Sequence, residues 1–313
     1  MESLKKWVQF SKERFDPLSH LLMILLFFGA HFVFSAHLQL DLANVIDFKE
    51  KILINSLLFV GVLAFFFKLR LYDEIKDYEV DLVINPTRPL VRGLVTHQDL
   101  YFGISVCIAL ELVIFGSIGV RIWPGIIFAI VYSLLMYKEF FIPKLIRPHL
   151  TTYAVSHTIV SGFLTLVLIS AFSREVFWNL GMPSYLFSIN SWCLFNIFEF
   201  GRKTFISTEE RKKVESYSKV FGRWGAIALV LLMSVISNIL LERVDSYFYG
   251  SDIHLNKLAY FLWGMFSVLG VSGVIYAVSD RGCWGVVYRS FSSIYIVLIY
   301  LGWLILNSGV FLK

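Results

Sequence analysis

The chain has 313 residues, of which 57% are hydrophobic and only 16% charged, and its mean hydropathy is +0.70. Soluble domains are typically about 45–50% apolar and about 25% charged, so this composition favours an integral membrane protein over a soluble one. The three cysteines are scattered along the chain without metal-ligand spacing, which excludes a disulfide framework.

Nine segments are long and apolar enough to be membrane-spanning helices, because about 20 such residues cross the hydrocarbon core. None shows the alternation of a strand, which favours a helical bundle over a barrel. We therefore expect an all-α polytopic bundle of about nine transmembrane helices, forming a single domain over residues 1–313. The predicted spans are residues 18–37, 52–72, 100–118, 120–138, 152–171, 179–200, 221–241, 258–279 and 290–311.

The loops between these spans carry unequal positive charge. If the N-terminus is cytoplasmic, that side holds 21 of the 28 lysines and arginines and the opposite side holds 7. Cytoplasmic loops are the ones enriched in lysine and arginine. The bias predicts a cytoplasmic N-terminus and a C-terminus on the opposite side, and it explains the net charge of +5 without a nucleic-acid partner.

A ladder of acidic residues follows the second span, in the segment LRLYDEIKDYEVDLVINPTRPLVRGL. If the helix continues past the span, Asp73, Asp77 and Asp81 stack on one face, with Glu74 beside them. Like charges at this spacing repel each other and oppose the helix dipole, so a cation is needed against them. Mg²⁺ takes oxygen ligands and often shares them with phosphate, which makes it the expected metal.

Two further loops on the same predicted side supply cations. Lys138 and Arg147 lie in the loop after the fourth span, and Arg202 and Lys203 follow Glu199 in the loop after the sixth. Lysine and arginine make charge-assisted contacts with phosphate oxygens. Both halves of a metal–diphosphate site can therefore come from one membrane face.

These residues resemble the UbiA superfamily of intramembrane prenyltransferases, whose first signature is N-D-x-x-D-x-x-x-D followed by R-P-L-x-x-G. Asp and Glu stand here for its first two residues and keep oxygen ligands. The resemblance covers nearly the whole chain, and the corresponding residues are Asp73, Glu74, Asp77, Asp81, Arg88, Pro89, Leu90 and Gly93.

The resemblance implies transfer of a prenyl group from a prenyl diphosphate to a hydrophobic acceptor, commonly an aromatic ring, within the bilayer. Asp77, Asp81 and Glu199 are the expected catalytic residues. The implied Mg²⁺ ligands are Asp73, Glu74, Asp77, Asp81 and Glu199. The residues implied to hold the donor diphosphate are Arg88, Lys138, Arg147, Arg202 and Lys203.

The second family signature, roughly D-x-x-x-D, is altered in this chain. Glu199 matches its first acid, but Lys203 occupies the next ligand position and cannot bind a metal. Lys203 can contact the diphosphate in place of a second metal, or Glu209 or Glu210 in the longer loop can supply the ligand. Altered chemistry, with another diphosphate donor such as phosphoribosyl diphosphate acting on a lipid phosphate, and loss of catalysis are the remaining alternatives.

Three polar residues inside predicted spans are secondary candidates. Glu111 is an ionisable group at membrane depth, hence a functional candidate, although we favour a carboxyl that ties helices together. His157 and Asn196 are candidates for the acceptor cavity or are buried hydrogen-bonding residues. A transporter would place ionisable groups near the midplane. Because Glu111 is the one interior acid identified and the other acids cluster at one interface, the sequence favours an enzyme over a transporter.

Overall fold

The computed structural model describes residues 2–38, 48–210, 215–250, 253–279 and 281–309, and within these ranges the regular secondary structure is helical throughout. The thirteen α-helices there are α1 (Glu2–Arg14), α2 (Pro17–Leu38), α3 (Phe48–Lys76), α4 (Tyr78–Ile84), α5 (His97–Ile118), α6 (Trp123–Tyr137), α7 (Pro143–Ile146), α8 (Leu150–Thr158), α9 (Val160–Ser173), α10 (Met182–Arg202), α11 (Tyr217–Tyr249), α12 (Ile253–Val278) and α13 (Gly282–Asn307).

Eight helical segments of the described chain are long and apolar enough to cross a membrane, which confirms an all-α, multi-pass membrane protein. The sixth expected span, 179–200, corresponds to α10, a 21-residue helix that is not among the eight. Polar residues reduce its hydropathy, and α10 packs between α9, α11 and α13. Its buried polar residues include Ser184, Ser188, Asn190, Ser191 and Asn196.

Two expected spans differ from a single continuous helix. The span predicted at 152–171 is divided between α8 and α9, which meet at Ile159. Helix α11 begins four residues before the expected boundary at 221 and contains a break at Gly222, whose φ of 71° is favourable only for glycine. Glycine therefore lets the chain change direction where the loop after α10 enters the bundle.

Helices α3 and α5 pack closely along their length and bury an ion pair between them. A Cβ atom on Gly61 would lie 2.8 Å from the Phe115 ring, so the small residue permits this approach. Lys68 Nζ lies 2.6 Å from Glu111 Oε2, and both side chains are fully buried. Glu111 therefore ties helices together, as favoured from the sequence, but it is not alone in the interior, because Lys68 accompanies it.

The N-terminal helix α1 packs against the end of α3 that carries the acidic ladder. Trp7, Phe10 and Phe15 each make an edge-to-face contact with Phe67, with ring centroids 5.3–6.3 Å apart. Leu4 of α1 is exposed, which is consistent with a helix at a membrane interface. This packing brings Arg14, the last residue of α1, beside the acidic ladder.

Candidate functional site

The acidic ladder forms as the spacing predicts. Helix α3 ends at Lys76 and α4 begins at Tyr78, but helical hydrogen bonds continue through the junction: the Asp77 amide donates to the Asp73 carbonyl at 2.9 Å and the Asp81 amide to the Asp77 carbonyl at 2.8 Å. Asp73, Asp77 and Asp81 therefore occupy successive turns. Their environments differ, because Asp73 and Asp77 reach the surface whereas Asp81 is buried.

Asp77 is the acid with the most perturbed ionisation. Loss of hydration raises its pKa to about 6, and the neighbouring carboxylates of Asp73 and Asp81 add to this, whereas Lys76 and Lys203 oppose it. Its carboxylate caps no backbone amide of α4. Asp77 is thus a surface-reaching carboxylate in a negative environment, which a bound cation would relieve.

Glu74 lies on a different side of the helix from Asp73 and is almost fully buried. It forms an ion pair with Arg14 of α1 and lies 3.9 Å from Arg88 Nη1, and it accepts a long hydrogen bond from the Leu90 amide at 3.4 Å. These contacts attach α1 and the R-P-L segment to the end of α3. Any metal bound by Glu74 would have to compete with Arg14.

Asp81 and Arg88 form the next contact of this segment. The Arg88 Nε atom lies 3.6 Å from Asp81 Oδ2, and Asn85 donates to Asp81 Oδ1 at 2.7 Å. Arg88 therefore lies between two buried carboxylates, Glu74 and Asp81, with its side chain 25% exposed. Through these contacts Arg88 ties the loop after α4 to helices α3 and α4.

The second half of the site comes from the end of α10. Glu199 forms ion pairs with Arg202 at 2.5 Å and with Lys203 at 2.8 Å, and its side chain is only 14% exposed. Lys203 lies near enough to Asp77 to influence that carboxyl's pKa. The end of α10 thus faces the acidic ladder with two cations and one acid that they already neutralise.

The loop between α6 and α8 contributes a third group of charges. Arg147 donates to both carboxylate oxygens of Glu139 at 2.9 Å, and this bond, with Asp77 as a weaker contributor, raises the pKa of Arg147. Lys138 is exposed and its Nζ lies 4.6 Å from the Tyr137 ring centroid. Residues 139–141 all have positive φ, between 50° and 59°, a conformation that non-glycine residues rarely adopt and that is found at functional sites.

Several side chains at the site were not identified from the sequence. Lys76 lies 3.6 Å from Asp73 and donates to the Tyr153 hydroxyl at 3.1 Å, and Arg70 lies 3.7 Å from Asp73. The helical spacing of Arg70, Asp73 and Lys76, three residues apart in each case, was the available signal. The role of Arg14 had no such signal, because it depends on packing between distant segments.

Glu209 and Glu210, the two acids in the loop after α10 that could replace the missing metal ligand, have other partners. Glu209 forms a two-pronged ion pair with Arg289 of α13, at 2.6 and 2.7 Å, which lowers the pKa of Glu209. Glu210 accepts hydrogen bonds from Ser216 and Ser218. Both carboxylates stabilise the loop, and the basic run at 211–213 lies outside the described residues.

The two remaining polar candidates also have defined environments. Asn196 accepts a hydrogen bond from Thr158 at 3.0 Å and donates to the Trp192 carbonyl at 2.9 Å, so its amide connects α8 to α10. His157 is stacked on Tyr153, with ring centroids 3.9 Å apart, and its Nε2 atom has no hydrogen-bond partner in the described part of the chain.

The donor set suits a metal shared with a ligand better than a metal held by protein alone. Among the described residues no group of three or more His, Cys, Asp and Glu side chains is arranged to hold a metal. Mg²⁺, however, is usually bound by one or two carboxylates together with substrate phosphates and waters. Asp73 and Asp77 fit that arrangement, because both reach the surface and the ionised form of Asp77 is disfavoured by the neighbouring carboxylates.

No family model and no curated protein matches the sequence. In structure, however, the chain is similar to an apo UbiA homolog from Aeropyrum pernix K1, with a TM-score of 0.60 and 15% identity over 92% of this chain and 97% of the other. This is the UbiA fold. A second structure with the UbiA fold, a digeranylgeranylglyceryl phosphate synthase, matches with a TM-score of 0.57 and 15% identity over the same shares of the two chains.

Proposed function

We propose that this protein is an intramembrane prenyltransferase that moves a prenyl group from a prenyl diphosphate to a hydrophobic acceptor. One observation carries the proposal: Asp73 and Asp77 stand at the end of an apolar bundle beside the cations of Arg147, Arg202 and Lys203. A diphosphate needs cations around its oxygens, and its lipid tail needs an apolar environment next to them. The UbiA fold supports the same conclusion.

The proposed roles follow from charge. Breaking the allylic C–O bond leaves the electron pair on the diphosphate, and preorganised cations stabilise that developing charge. Mg²⁺ bound by Asp73 and Asp77 would supply Lewis-acid neutralisation there. Arg202 and Lys203 would contact the phosphate oxygens directly, with Glu199 orienting them. Arg147 and Lys138 would approach the same group from the loop after α6.

Lys203 is the residue that distinguishes this site from one with two acidic motifs. Its ammonium stands where a second metal ligand is expected, and Glu199 holds it at 2.8 Å. We propose that Lys203 contributes the positive charge that a second Mg²⁺ would otherwise bring. Glu74, Asp81 and Arg88 would then fix the shape of the site, with Arg88 available to the diphosphate because its side chain is partly exposed.

The acceptor is proposed only as a class. An aromatic acceptor is implied by the family resemblance, whereas the synthase with the same fold is named for a glyceryl phosphate carrying two geranylgeranyl groups. An aromatic ring and a glyceryl phosphate are both compatible, as acceptors, with a site at the end of an apolar bundle. We also propose, from the distribution of lysine and arginine, that the site and the N-terminus lie on the cytoplasmic side.

The test measures binding of geranyl, farnesyl and geranylgeranyl diphosphates to the protein in nanodiscs, with and without Mg²⁺. We expect Mg²⁺-dependent binding that is lost in Asp73→Asn/Asp77→Asn. Glu175→Gln is the matched control, because this exposed carboxylate pairs with Arg121 at the other end of the bundle. Absence of binding for all three, in folded protein, would contradict the proposal. Phosphoribosyl diphosphate is tested in the same assay, and its binding in place of the three prenyl diphosphates would favour the altered-donor alternative.

A further inference from the structure

A basic pocket lies outside the candidate donor site, between α1 and the loop that joins α4 to α5. Its volume is about 380 Å³, which is within the range of small-molecule sites. Of the described residues, no member of the acidic ladder and no residue proposed to hold the diphosphate lines this pocket, so it is a separate place for a ligand. Its lining residues are Lys5, Lys6, Gln9, Arg92 and Leu94.

Two ion pairs between different elements hold the walls of the pocket together. Lys6 Nζ of α1 lies 2.6 Å from Asp99 Oδ1 in the first turn of α5. Arg92, in the loop before α5, makes a two-pronged ion pair with Glu13 of α1, at 2.7 and 2.8 Å. Both cations therefore have fixed positions at the pocket wall.

The cations retain donors that these pairs do not use. An ammonium group has three N–H donors and a guanidinium five. Lys6 uses one of its donors on Asp99, and Arg92 uses three, two on Glu13 and one on the Thr87 carbonyl. Lys5 is exposed and makes no hydrogen bond or ion pair with the described residues. Three cations with free donors thus stand against two carboxylates, which leaves the pocket with an excess of positive charge.

Apolar side chains adjoin the same pocket. Leu94 lines it, and Leu4 and Val8 of α1 are 71% and 47% exposed. Leu4 and Val8 are one turn apart, so they form a stripe directly beside the one that carries Lys5. Such a stripe places an interfacial helix at the boundary between lipid headgroups and acyl chains. A ligand that matches both features has an anionic group and acyl chains.

We propose that this pocket binds the phosphate group of an anionic phospholipid, with Lys5, Lys6 and Arg92 as its donors. On the cytoplasmic side proposed above, the leaflet is anionic, and basic pockets of membrane proteins bind acidic headgroups there. The lipid contacts α1 and the loop before α5 together. Because α1 also carries Arg14, which pairs with Glu74, the bound lipid stabilises the packing of α1 beside the acidic ladder.

The experiment measures lipid binding to the delipidated full chain in detergent by native mass spectrometry. The probes are dioleoyl phosphatidylglycerol, which is anionic, and dioleoyl phosphatidylcholine, in which the choline balances the phosphate charge. We expect the wild-type protein to bind phosphatidylglycerol more tightly than phosphatidylcholine. Lys5→Gln should weaken phosphatidylglycerol binding about 5-fold, the effect of one basic residue near an anionic headgroup, and the charge reversal Lys5→Glu about 25-fold.

Lys144→Gln is the matched control, because Lys144 is an exposed lysine of α7 on the same proposed side of the membrane. Phosphatidylglycerol affinity should be unchanged in this variant. Since Lys5 makes no described contact, its substitution should also leave the fold and the Mg²⁺-dependent binding of prenyl diphosphates intact.

Three results would overturn the proposal. Equal affinities of the wild type for the two lipids would show that the pocket does not select an anionic headgroup. Equal losses in Lys5→Gln and Lys144→Gln would show that only the general positive charge of this face attracts the lipid. Displacement of phosphatidylglycerol by an equal concentration of inorganic phosphate would show that the pocket recognises soluble phosphate. Failure of the proposed function is a separate result, because no prenyl diphosphate is present in this assay.

Discussion

Lys68 Nζ lies 2.6 Å from Glu111 Oε2, with both side chains fully buried between α3 and α5. The ammonium also lies 4.3 Å from the Phe65 ring centroid. Burying two charges carries a large desolvation penalty, which close contact in a low-dielectric interior only partly offsets. The stability of the interface between α3 and α5 is therefore sensitive to the loss of either charge. This interface holds α3, the helix whose end carries Asp73 and Asp77.

Removing Lys68 alone should destabilise the protein strongly. Lys68→Met leaves the Glu111 carboxyl buried without its partner, which typically costs about 3–5 kcal/mol. The double variant Lys68→Met/Glu111→Leu should recover most of this loss, because no unpaired charge remains. The stability of both variants is measured by unfolding in nanodiscs, monitored by tryptophan fluorescence. A double variant as unstable as the single one would show that the lost stability comes from packing instead of charge.

The pKa of Asp77 predicts how metal binding depends on pH. Its folded-state value is raised from 3.8 to about 6, so the folded protein holds this proton more tightly than the unfolded chain. Asp77 therefore favours folding below pH 3.8, and that contribution is lost as pH rises through about 6. Mg²⁺ binds the ionised form and releases the proton, so metal-dependent donor affinity should increase as pH rises through about 6.

The measurement is Mg²⁺-dependent binding of a prenyl diphosphate at pH values from about 5 to about 7.5, spanning the titration of Asp77. The diphosphate itself titrates in this range, so the comparison is with Asp77→Asn, in which any step due to the protein must disappear. Glu175→Gln should show the wild-type profile. If Asp77→Asn retains the full pH dependence, the titrating group is not Asp77.

The acidic ladder and most of the fold could be predicted because they depend on local spacing. Helical periodicity places Asp73, Asp77 and Asp81 on successive turns, and apolar length identifies the spans. Partners of these residues could not be predicted, because they come from remote segments: Arg14 of α1 pairs with Glu74, and Arg289 of α13 pairs with Glu209. No pattern within a helix indicates which distant helix packs beside it.

Hydropathy likewise gave an incomplete account of α10. The helix lies in the middle of the bundle although its polar side chains reduce its hydropathy, because those side chains find partners on neighbouring helices. Asn190 accepts from Ser237 at 2.6 Å, and Ser188 donates to the Gly162 carbonyl at 2.8 Å. Such pairs satisfy groups that would be unfavourable in lipid, and they are visible only once the helices are assembled.

Replacing Lys203 tests whether its charge substitutes for a second metal. Lys203→Met should weaken donor binding about 10- to 100-fold, the range expected when a hydrogen bond to a charged group is lost. Lys203→Asp gives the motif a second acid in addition to Glu199. This variant should make donor affinity depend more steeply on Mg²⁺ concentration. Lys219→Met is the control, an exposed lysine at the start of α11. If the wild type and Lys203→Met bind the donor with equal affinity, Lys203 does not contribute to donor binding.

Asp73 and Glu74 are adjacent in sequence, yet their substitutions should have opposite effects. Glu74 is buried against Arg14, so Glu74→Gln leaves that arginine without its charge partner and should lower stability by about 3 kcal/mol. Asp73 is 44% exposed, and Asp73→Asn should change stability by less than about 1 kcal/mol. Unfolding in nanodiscs measures this difference directly.

Metal-dependent donor binding should show the reverse order. Asp73→Asn removes an accessible oxygen ligand and should abolish most of the Mg²⁺ effect, whereas folded Glu74→Gln should retain it, because Glu74 faces Arg14 and the R-P-L segment. Titration with Mg²⁺ at fixed prenyl diphosphate distinguishes the two. If Glu74→Gln is stable and loses the Mg²⁺ response, Glu74 must turn away from Arg14 to bind the metal, and it would then join Asp73 and Asp77 as a ligand.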